Sequence, residues 1–257
     1  MFEKLSFDSK ILKTSRNLRI FIPDNITGPY QVLYMHDGQN LYLDEDASYK
    51  ESWHIHETVS AMMKAKMLKP TIIVGIDHSD DRLLEYSPVD TKRIEKALKV
   101  KFNKPHFGDL YVDFIVKELK PYIDLNYNTY KDQSNTLIAG SSMGGVISLY
   151  AALKYQDTFG GIGMLSTASW YNQGAFLNLI LEHKTSLNQK FFIGVGTNES
   201  YDDPLLSKAY VKTNKQLFRS IKKTSPSTVL RIYQDAIHNE TFWRVISAEM
   251  LLNIQTK

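Results

Sequence analysis

The 257-residue sequence predicts one α/β domain, residues 1–257, built on a mostly parallel sheet of eight strands with helices on both faces. Two observations lead to this class. Apolar runs of strand length recur along the chain, and from residue 31 onward most of them alternate with amphipathic helical stretches. The composition, 43% hydrophobic and 23% charged, is that of a soluble globular protein that buries one sizeable core.

The first predicted strands follow each other before any helix, which indicates an antiparallel hairpin at one edge of the sheet. The predicted strands are 4–14, 18–22, 31–36, 71–77, 136–139, 161–166, 190–196 and 228–233. The predicted helices are 53–68, 108–123, 143–154, 204–223 and 240–253. Because sites in such sheets form beyond the carboxyl ends of the strands, the residues that follow each strand are the first candidates for function.

Two long connections interrupt this alternation. Residues 79–107 are rich in lysine and are interpreted either as a solvated helical face or as a lid or insertion whose charge attracts an acidic substrate. Residues 167–189 carry Trp170 and Tyr171 just past a strand end. These two aromatic residues are candidates for substrate binding, with packing on the core as the alternative.

Charge and composition narrow the classes of partner. The net charge is +3, from 31 basic and 28 acidic side chains, which does not favour nucleic acid or an anionic membrane. The absence of cysteine excludes disulfides, thiolate metal sites and a cysteine nucleophile. Neither a signal peptide nor a membrane span is evident. We therefore expect a cytoplasmic enzyme acting on a small molecule, and the sequence carries no indication of its oligomeric state.

The stretch LIAGSSMGGV, residues 137–146, fits the pattern G-x-S-x-G with Ser142 at the centre. In this pattern a sharp turn from strand to helix exposes the serine, and only small residues fit two positions to either side. A glycine-rich turn that binds phosphate is the alternative. The stretch lacks the lysine and the glycine spacing of the common phosphate-binding loops, so we predict that Ser142 is a nucleophile.

A serine hydroxyl needs a base to take its proton. Where this turn carries the nucleophile, the acid and then the base follow it in the chain. Of the seven histidines, His183 and His238 lie after Ser142. His183 falls within a long connection, whereas His238 directly follows the last predicted strand. His238 is therefore the predicted base.

The predicted acid lies between these two residues, in the stretch FFIGVGTNESYDDP. Glu199 comes three residues after Gly196, close to the strand end, and is the preferred candidate. Asp202 is the alternative, and both Asp202 and Asp203 could instead begin the next helix. The acid would fix the imidazole tautomer of the base and stabilise the imidazolium that forms.

Acyl transfer also needs two donors for the developing oxyanion. The backbone N–H after the nucleophile, that of Met143, is the first. The second is expected from the loop YMHDGQN, where Gly38 allows close approach of the backbone and the N–H of Gln39 is the candidate.

Five motifs occur in an order that resembles the esterase D-like, or putative-esterase, branch of the α/β-hydrolases: YMHDGQNLY, EYSP, GSSMGG, GVGTNES and HNETFWR. Feruloyl esterases, enterochelin-type siderophore esterases, S-formylglutathione hydrolases and mycolyl transferases belong to that branch. The resemblance covers residue 15 to the C-terminus. It implies the α/β-hydrolase fold, with Ser142 as nucleophile, Glu199 as acid, His238 as base, and Gln39 and Met143 as oxyanion donors. Relatives often carry aspartate as the acid.

The sequence thus predicts a serine esterase that hydrolyses small-molecule carboxylic esters through an acyl-enzyme and needs no cofactor. Three alternatives stay open. The same residues would serve an acyltransferase. A non-catalytic binding module could use the same fold. A metal-assisted hydrolase is suggested by His54 and His56 together with Asp77 and His78, although histidines two apart do not share a helix face.

Overall fold

A computed structural model describes residues 1–183, 185–186 and 188–255. Within them the chain forms an eight-stranded sheet in the order β1-β2-β4-β3-β5-β6-β7-β8. The hairpin strands β1 and β2 are antiparallel to each other, β2 is antiparallel to β4, and the remaining neighbours are parallel. The strands are β1 (Phe2–Ser9), β2 (Thr14–Phe21), β3 (Gln31–His36), β4 (Thr71–Ile76), β5 (Thr136–Ser141), β6 (Gly161–Leu165), β7 (Lys190–Asn198) and β8 (Val229–Ile237).

The predicted antiparallel edge is present, but the boundary of its first strand was wrong. The single strand predicted for 4–14 ends at Ser9, and residues 10–13 turn the chain into β2. Glu118 stabilises this turn because its Oε1 accepts hydrogen bonds from the backbone N–H groups of Lys10 and Ile11, at 3.0 and 3.2 Å. That carboxylate lies 107 residues or more away in the chain, so the local pattern contained no sign of it.

Helices cover both faces of the sheet, as predicted. The side chains of β3 show why: Val32 and Tyr34 enter one hydrophobic cluster, and Leu33 and Met35, which alternate with them, enter the other. The helices within the described residues are α1 (Ile55–Lys64), α2 (Arg82–Glu85), α3 (Lys92–Leu98), α4 (Gly108–Phe114), α5 (Lys120–Asn126), α6 (Met143–Lys154), α7 (Gln173–His183), α8 (Pro204–Ile221) and α9 (Glu240–Ile254). A π-helical segment, Ile115–Leu119, joins α4 to α5.

The two long connections contain helices whose bounds were not among those predicted from the sequence. Residues 79–107 contain α2 and α3, and residues 167–189 contain α7. The part of the first connection at residues 84–87 is buried in the protein. Further along, Lys92 and Lys104 are exposed and pair with Asp90 and Asp81, at 3.6 and 2.6 Å. Within the described ranges, no helix is both long enough and apolar enough to cross a membrane.

The parallel strands β3, β5, β6, β7 and β8 lie side by side and end at the same edge of the sheet. The residues that directly follow these five ends are Asp37, Ser142, Ser166, Glu199 and His238. The order of the strands therefore brings residues as far apart in sequence as Asp37 and His238 into one row.

Candidate active site

The turn between β5 and α6 carries Ser142 at its apex. Its backbone has φ 58° and ψ −119°, a sparsely populated region for a residue with a side chain. Gly140 makes this turn possible, since a Cβ there would lie 2.8 Å from the carbonyl carbon of Gly144. The first glycine of the G-x-S-x-G pattern is thus explained by steric contact across the turn.

The pairing of β7 with β8 brings Glu199 to His238. The register of these strands shifts by a β-bulge, after which Asn198 pairs with Ile237, so the next residue of each strand lies at the same level. His238 Nδ1 lies 2.6 Å from Glu199 Oε2. Because an ionised carboxylate can only accept, this contact assigns the proton to Nδ1 and leaves Nε2 as an acceptor.

The Glu199 carboxylate is fully buried and contacts three polar groups, of which the His238 imidazole is one. Its Oε1 accepts hydrogen bonds from the Ser166 hydroxyl, at 2.7 Å, and from the Gly196 backbone N–H, at 2.6 Å. Ser166 in turn accepts a hydrogen bond from Trp243 Nε1 at 2.9 Å. This network satisfies the carboxylate in the interior and restricts its rotation, so its other oxygen stays directed at His238.

Two aromatic rings pack against the imidazole of His238. The ring of Trp243 meets it edge to face at 4.9 Å, and that of Tyr210 lies at 5.3 Å. Burial raises the pKa of Tyr210 to about 12, so its hydroxyl is neutral at physiological pH. Ser142 and His238 both line one pocket of about 160 Å³. The side chain of His238 keeps a quarter of its surface exposed there.

The loop after β3 lies across this pocket. It forms one short turn of 3₁₀ helix, Gly38–Asn40, and Gly38 approaches β4 so closely that a Cβ would lie 2.6 Å from Asp77 Oδ1. The backbone N–H groups of Gln39 and Met143 each belong to the first turn of a helix, where N–H groups have no partner within the helix. Neither Gln39 nor Met143 is among the residues that line the 160 Å³ pocket itself.

A buried ion pair holds the start of the same loop. Asp37, which adopts φ 57°, binds the guanidinium of Arg82 through two contacts of 2.6 and 2.7 Å. Burial favours the protonated carboxyl, but the charge and hydrogen bonds of Arg82 hold the pKa of Asp37 below its ordinary value. The Asp37 N–H also donates to the Tyr86 hydroxyl at 3.1 Å. Burial lowers the pKa of the neighbouring His36 to about 3, so that imidazole is neutral.

The two aromatic residues proposed for substrate binding differ in their surroundings. Tyr171 is 1% exposed, packs against Phe176, and places its hydroxyl 3.3 Å from that of Ser87. Tyr171 therefore packs in the core, which was the alternative to substrate binding. Trp170 is partly buried and contacts Tyr210, the ring that lies against His238. Trp170 thus lies beside the site but is not among the residues that line the 160 Å³ pocket.

The aspartates near Glu199 lie away from the imidazole. Asp202 is exposed to solvent. Asp203 caps α8, since its Oδ1 accepts from the N–H groups of Leu205 and Leu206 at 2.9 and 3.0 Å. The contact with His238 is made by Glu199.

The histidines behind the metal alternative bind other groups. His54 contacts the carboxylates of Asp44 and Glu57, at 3.0 and 3.2 Å, and stacks on His56. Asp77 pairs with Arg19 at 2.8 Å. Across residues 1–183, 185–186 and 188–255, no cluster of three or more histidine, aspartate or glutamate side chains is arranged to hold a metal ion.

Several residues that shape the site escaped sequence reasoning, namely Ser166, Trp243, Tyr210, Arg82 and Glu240. Ser166 directly follows β6, so the rule that directs attention to strand ends could have found it. Trp243 lies in the HNETFWR motif, five residues after His238. No local pattern pointed to the pairing of Arg82 with a residue 45 positions away.

Comparison with known proteins identifies a family to which the sequence is similar. A model of the family described as "Putative esterase" matches residues 9–254, nearly the whole chain. Among curated proteins, YbbA of Bacillus subtilis (strain 168), described as uncharacterized, is 25% identical over 238 residues. That match covers 89% of this chain and 88% of YbbA.

Solved structures share the architecture. The BES protein from Bacillus cereus matches with a TM-score of 0.76 at 19% identity, over 100% of this chain and 95% of that chain. The enterobactin esterase FES from Shigella flexneri matches with a TM-score of 0.76 at 18% identity, over 98% of this chain and 58% of that chain, so this chain spans little more than half of FES. Such likeness confirms the predicted fold. The family match, which agrees with the motifs, shows that the chain belongs to the putative esterase family, carboxylic ester hydrolases with the α/β-hydrolase fold.

Proposed function

We propose that the chain is a serine esterase in which Ser142, His238 and Glu199 act together and an acyl-enzyme forms. The observation that carries the proposal is the 2.6 Å contact of Glu199 with His238 Nδ1, in a pocket that the strained Ser142 also lines. An imidazole oriented in this way has a free Nε2 to accept the serine proton.

The reaction then runs in two halves. Ser142 Oγ attacks the ester carbonyl carbon as its proton passes to His238, and the N–H groups of Gln39 and Met143 bind the oxyanion. Collapse of this intermediate breaks the bond to the alcohol, which leaves with the proton from His238. Water then attacks the acyl-enzyme by the same route, releases the carboxylic acid and regenerates the serine. No cofactor is required.

The test replaces the nucleophile. We expect Ser142→Ala to abolish hydrolysis of p-nitrophenyl acetate while its thermal unfolding stays that of a folded protein, because only the attacking oxygen is lost. Ser60→Ala, on an exposed position of α1, is the matched control and keeps activity. A fluorophosphonate should label the wild-type protein at Ser142, located by peptide mapping. Full activity of Ser142→Ala would overturn the proposal.

The acyl group would pass to an alcohol if one replaced water in the second half. Product analysis in the presence of glycerol separates the two outcomes, since free acid indicates hydrolysis and a glycerol ester indicates transfer. We expect the free acid to dominate in dilute aqueous solution.

A further inference from the structure

The pocket contains one carboxyl group that the proposed reaction does not use. Glu240 is the first residue of α9, two positions after His238, and lines the same pocket as Ser142. It is 5% exposed. Its Oε1 accepts a hydrogen bond from Asn40 Nδ2 at 3.1 Å, which is its one bond to another side chain within the described residues.

Within the described part of the chain, the Glu240 carboxylate is not joined to a cation by an ion pair. The other charged residues on the pocket wall, Asp37 and Arg82, bind each other and cancel. No lysine, arginine or histidine of the described residues forms an ion pair with Glu240. Burial and the nearby Asp37 carboxylate raise the pKa of Glu240, while its own backbone N–H at the start of α9 and the neighbouring His238 act to lower it. The net direction is upward, so these neighbours do not fully offset the burial of the carboxylate. Proteins seldom keep such a group unless it serves a ligand or a switch.

Aromatic side chains line the same small space. Tyr49, Trp53 and Trp243 contribute to its wall, and the two indole rings lie 5.8 Å apart. A carboxylate beside aromatic rings is the environment that favours an ammonium group, through direct charge attraction and through cation–π contact. The volume of about 160 Å³ suits a small polar head and the reacting ester, not a long acyl chain.

We propose that this pocket selects esters that carry a cationic nitrogen close to the scissile bond, either a protonated amine or a quaternary ammonium, and that the Glu240 carboxylate is the residue that recognises it. The inference rests on the proposed serine esterase. It opposes the acidic substrate suggested by the lysine-rich stretch, of which Lys92 and Lys104 already pair with aspartates.

The test compares esters that differ in charge and match in shape. Glycine ethyl ester against ethyl propanoate places the cation on the acyl side, and acetylcholine against 3,3-dimethylbutyl acetate places it on the alcohol side. For at least one pair we expect the wild-type protein to favour the cationic ester in kcat/KM by about tenfold or more, the typical effect of one charge-assisted contact.

Glu240→Gln then removes the charge but keeps an oxygen that can accept from Asn40. We expect the ratio of kcat/KM between the cationic ester and its neutral partner to fall toward one in this variant, since the isosteric amide preserves the loop contact but not the charge. Glu249→Gln, the same change on the surface of the same helix, is the control and should keep the preference.

A second measurement does not depend on turnover. Calorimetric titration of Ser142→Ala with tetramethylammonium should detect binding, and the double variant Ser142→Ala with Glu240→Gln should lose it.

The outcomes separate the two proposals. Hydrolysis of the neutral esters without any preference for charge would overturn this inference and leave the serine esterase standing. An equal loss on both members of a pair in Glu240→Gln would also overturn it, because it would show that Glu240 only holds the Asn40 loop. No hydrolysis of any ester, with no labelling of Ser142, would overturn the esterase mechanism itself.

Discussion

The two sides of the pocket are held in different ways. On the side that the proposed mechanism assigns to acid–base chemistry, here called the acid–base side and formed by the ends of β6, β7 and β8, hydrogen bonds from Ser166 and Gly196 converge on the Glu199 carboxylate. On the loop side, formed by residues 37–40 after β3, one ion pair between Asp37 and Arg82 holds the backbone. The first arrangement fixes the direction of the Glu199 carboxylate, and the second fixes the position of a loop. We therefore expect changes on the first side to affect kcat and changes on the second to affect stability.

The largest effect should come from the centre of the acid–base side. Glu199→Gln keeps the size of the side chain but can donate its amide to Nδ1, which favours the wrong imidazole tautomer. We expect kcat for p-nitrophenyl acetate to fall by about a thousandfold or more, as when the acid of such a triad is made an amide. Asp202→Asn, on an exposed neighbour, is the matched control. If Asp202→Asn caused the larger loss, the acid would be Asp202.

The next effect tests the loop side through stability. Arg82→Met leaves Asp37 buried without its cation, so we expect the free energy of unfolding at neutral pH to fall by about 3 kcal/mol. Urea unfolding measures it, with Arg93→Met on the exposed face of α3 as the control. An unchanged free energy would show that the pair does not stabilise the loop.

Lowering the pH should remove this difference in the free energy of unfolding between the wild-type protein and Arg82→Met. Arg82 holds the pKa of Asp37 below 3.8 in the folded protein, so the pair stabilises the fold above that value. Its contribution is lost as the pH falls through the lower, folded-state pKa. The gap between the wild-type protein and Arg82→Met should therefore be full at neutral pH and shrink as the pH falls below 3.8. A gap that grew in acid would contradict this assignment.

A smaller effect is expected from Ser166→Ala on the acid–base side. The change removes one of the two donors to Glu199 Oε1 and the acceptor for Trp243 Nε1. We expect kcat to fall by about tenfold with KM little changed, because the carboxylate is less firmly oriented. Steady-state kinetics on p-nitrophenyl acetate measure kcat and KM separately. A rise in KM at constant kcat would contradict a positioning role for Ser166.

The smallest effect should come from Tyr86→Phe on the loop side. The Asp37 N–H loses its acceptor, which costs about 1 kcal/mol of unfolding free energy. We expect kcat to stay within about threefold of wild type, since the ion pair still holds the loop. A loss of activity approaching that of Glu199→Gln would remove the distinction between the two sides.

The sequence pointed to more of the residues on the acid–base side than on the loop side, for a physical reason. Ser142 and His238 follow strands whose ends share one edge, so period and turn chemistry indicate them directly. The pairing of Asp37 with Arg82 depends on how a long connection folds back, which no local pattern encodes. The π-helical segment 115–119 was missed for a related reason, because an apolar stripe predicts a helix but not a change in its pitch.

The contact between Asn40 and Glu240 joins residues 200 positions apart. The pocket is therefore complete only after the loop that follows β3 and the first turn of α9 have both docked on the sheet. Under the proposed mechanism, local unfolding of either one would leave Ser142 in a pocket without its full wall, so activity would follow the tertiary fold and not the presence of the motifs alone.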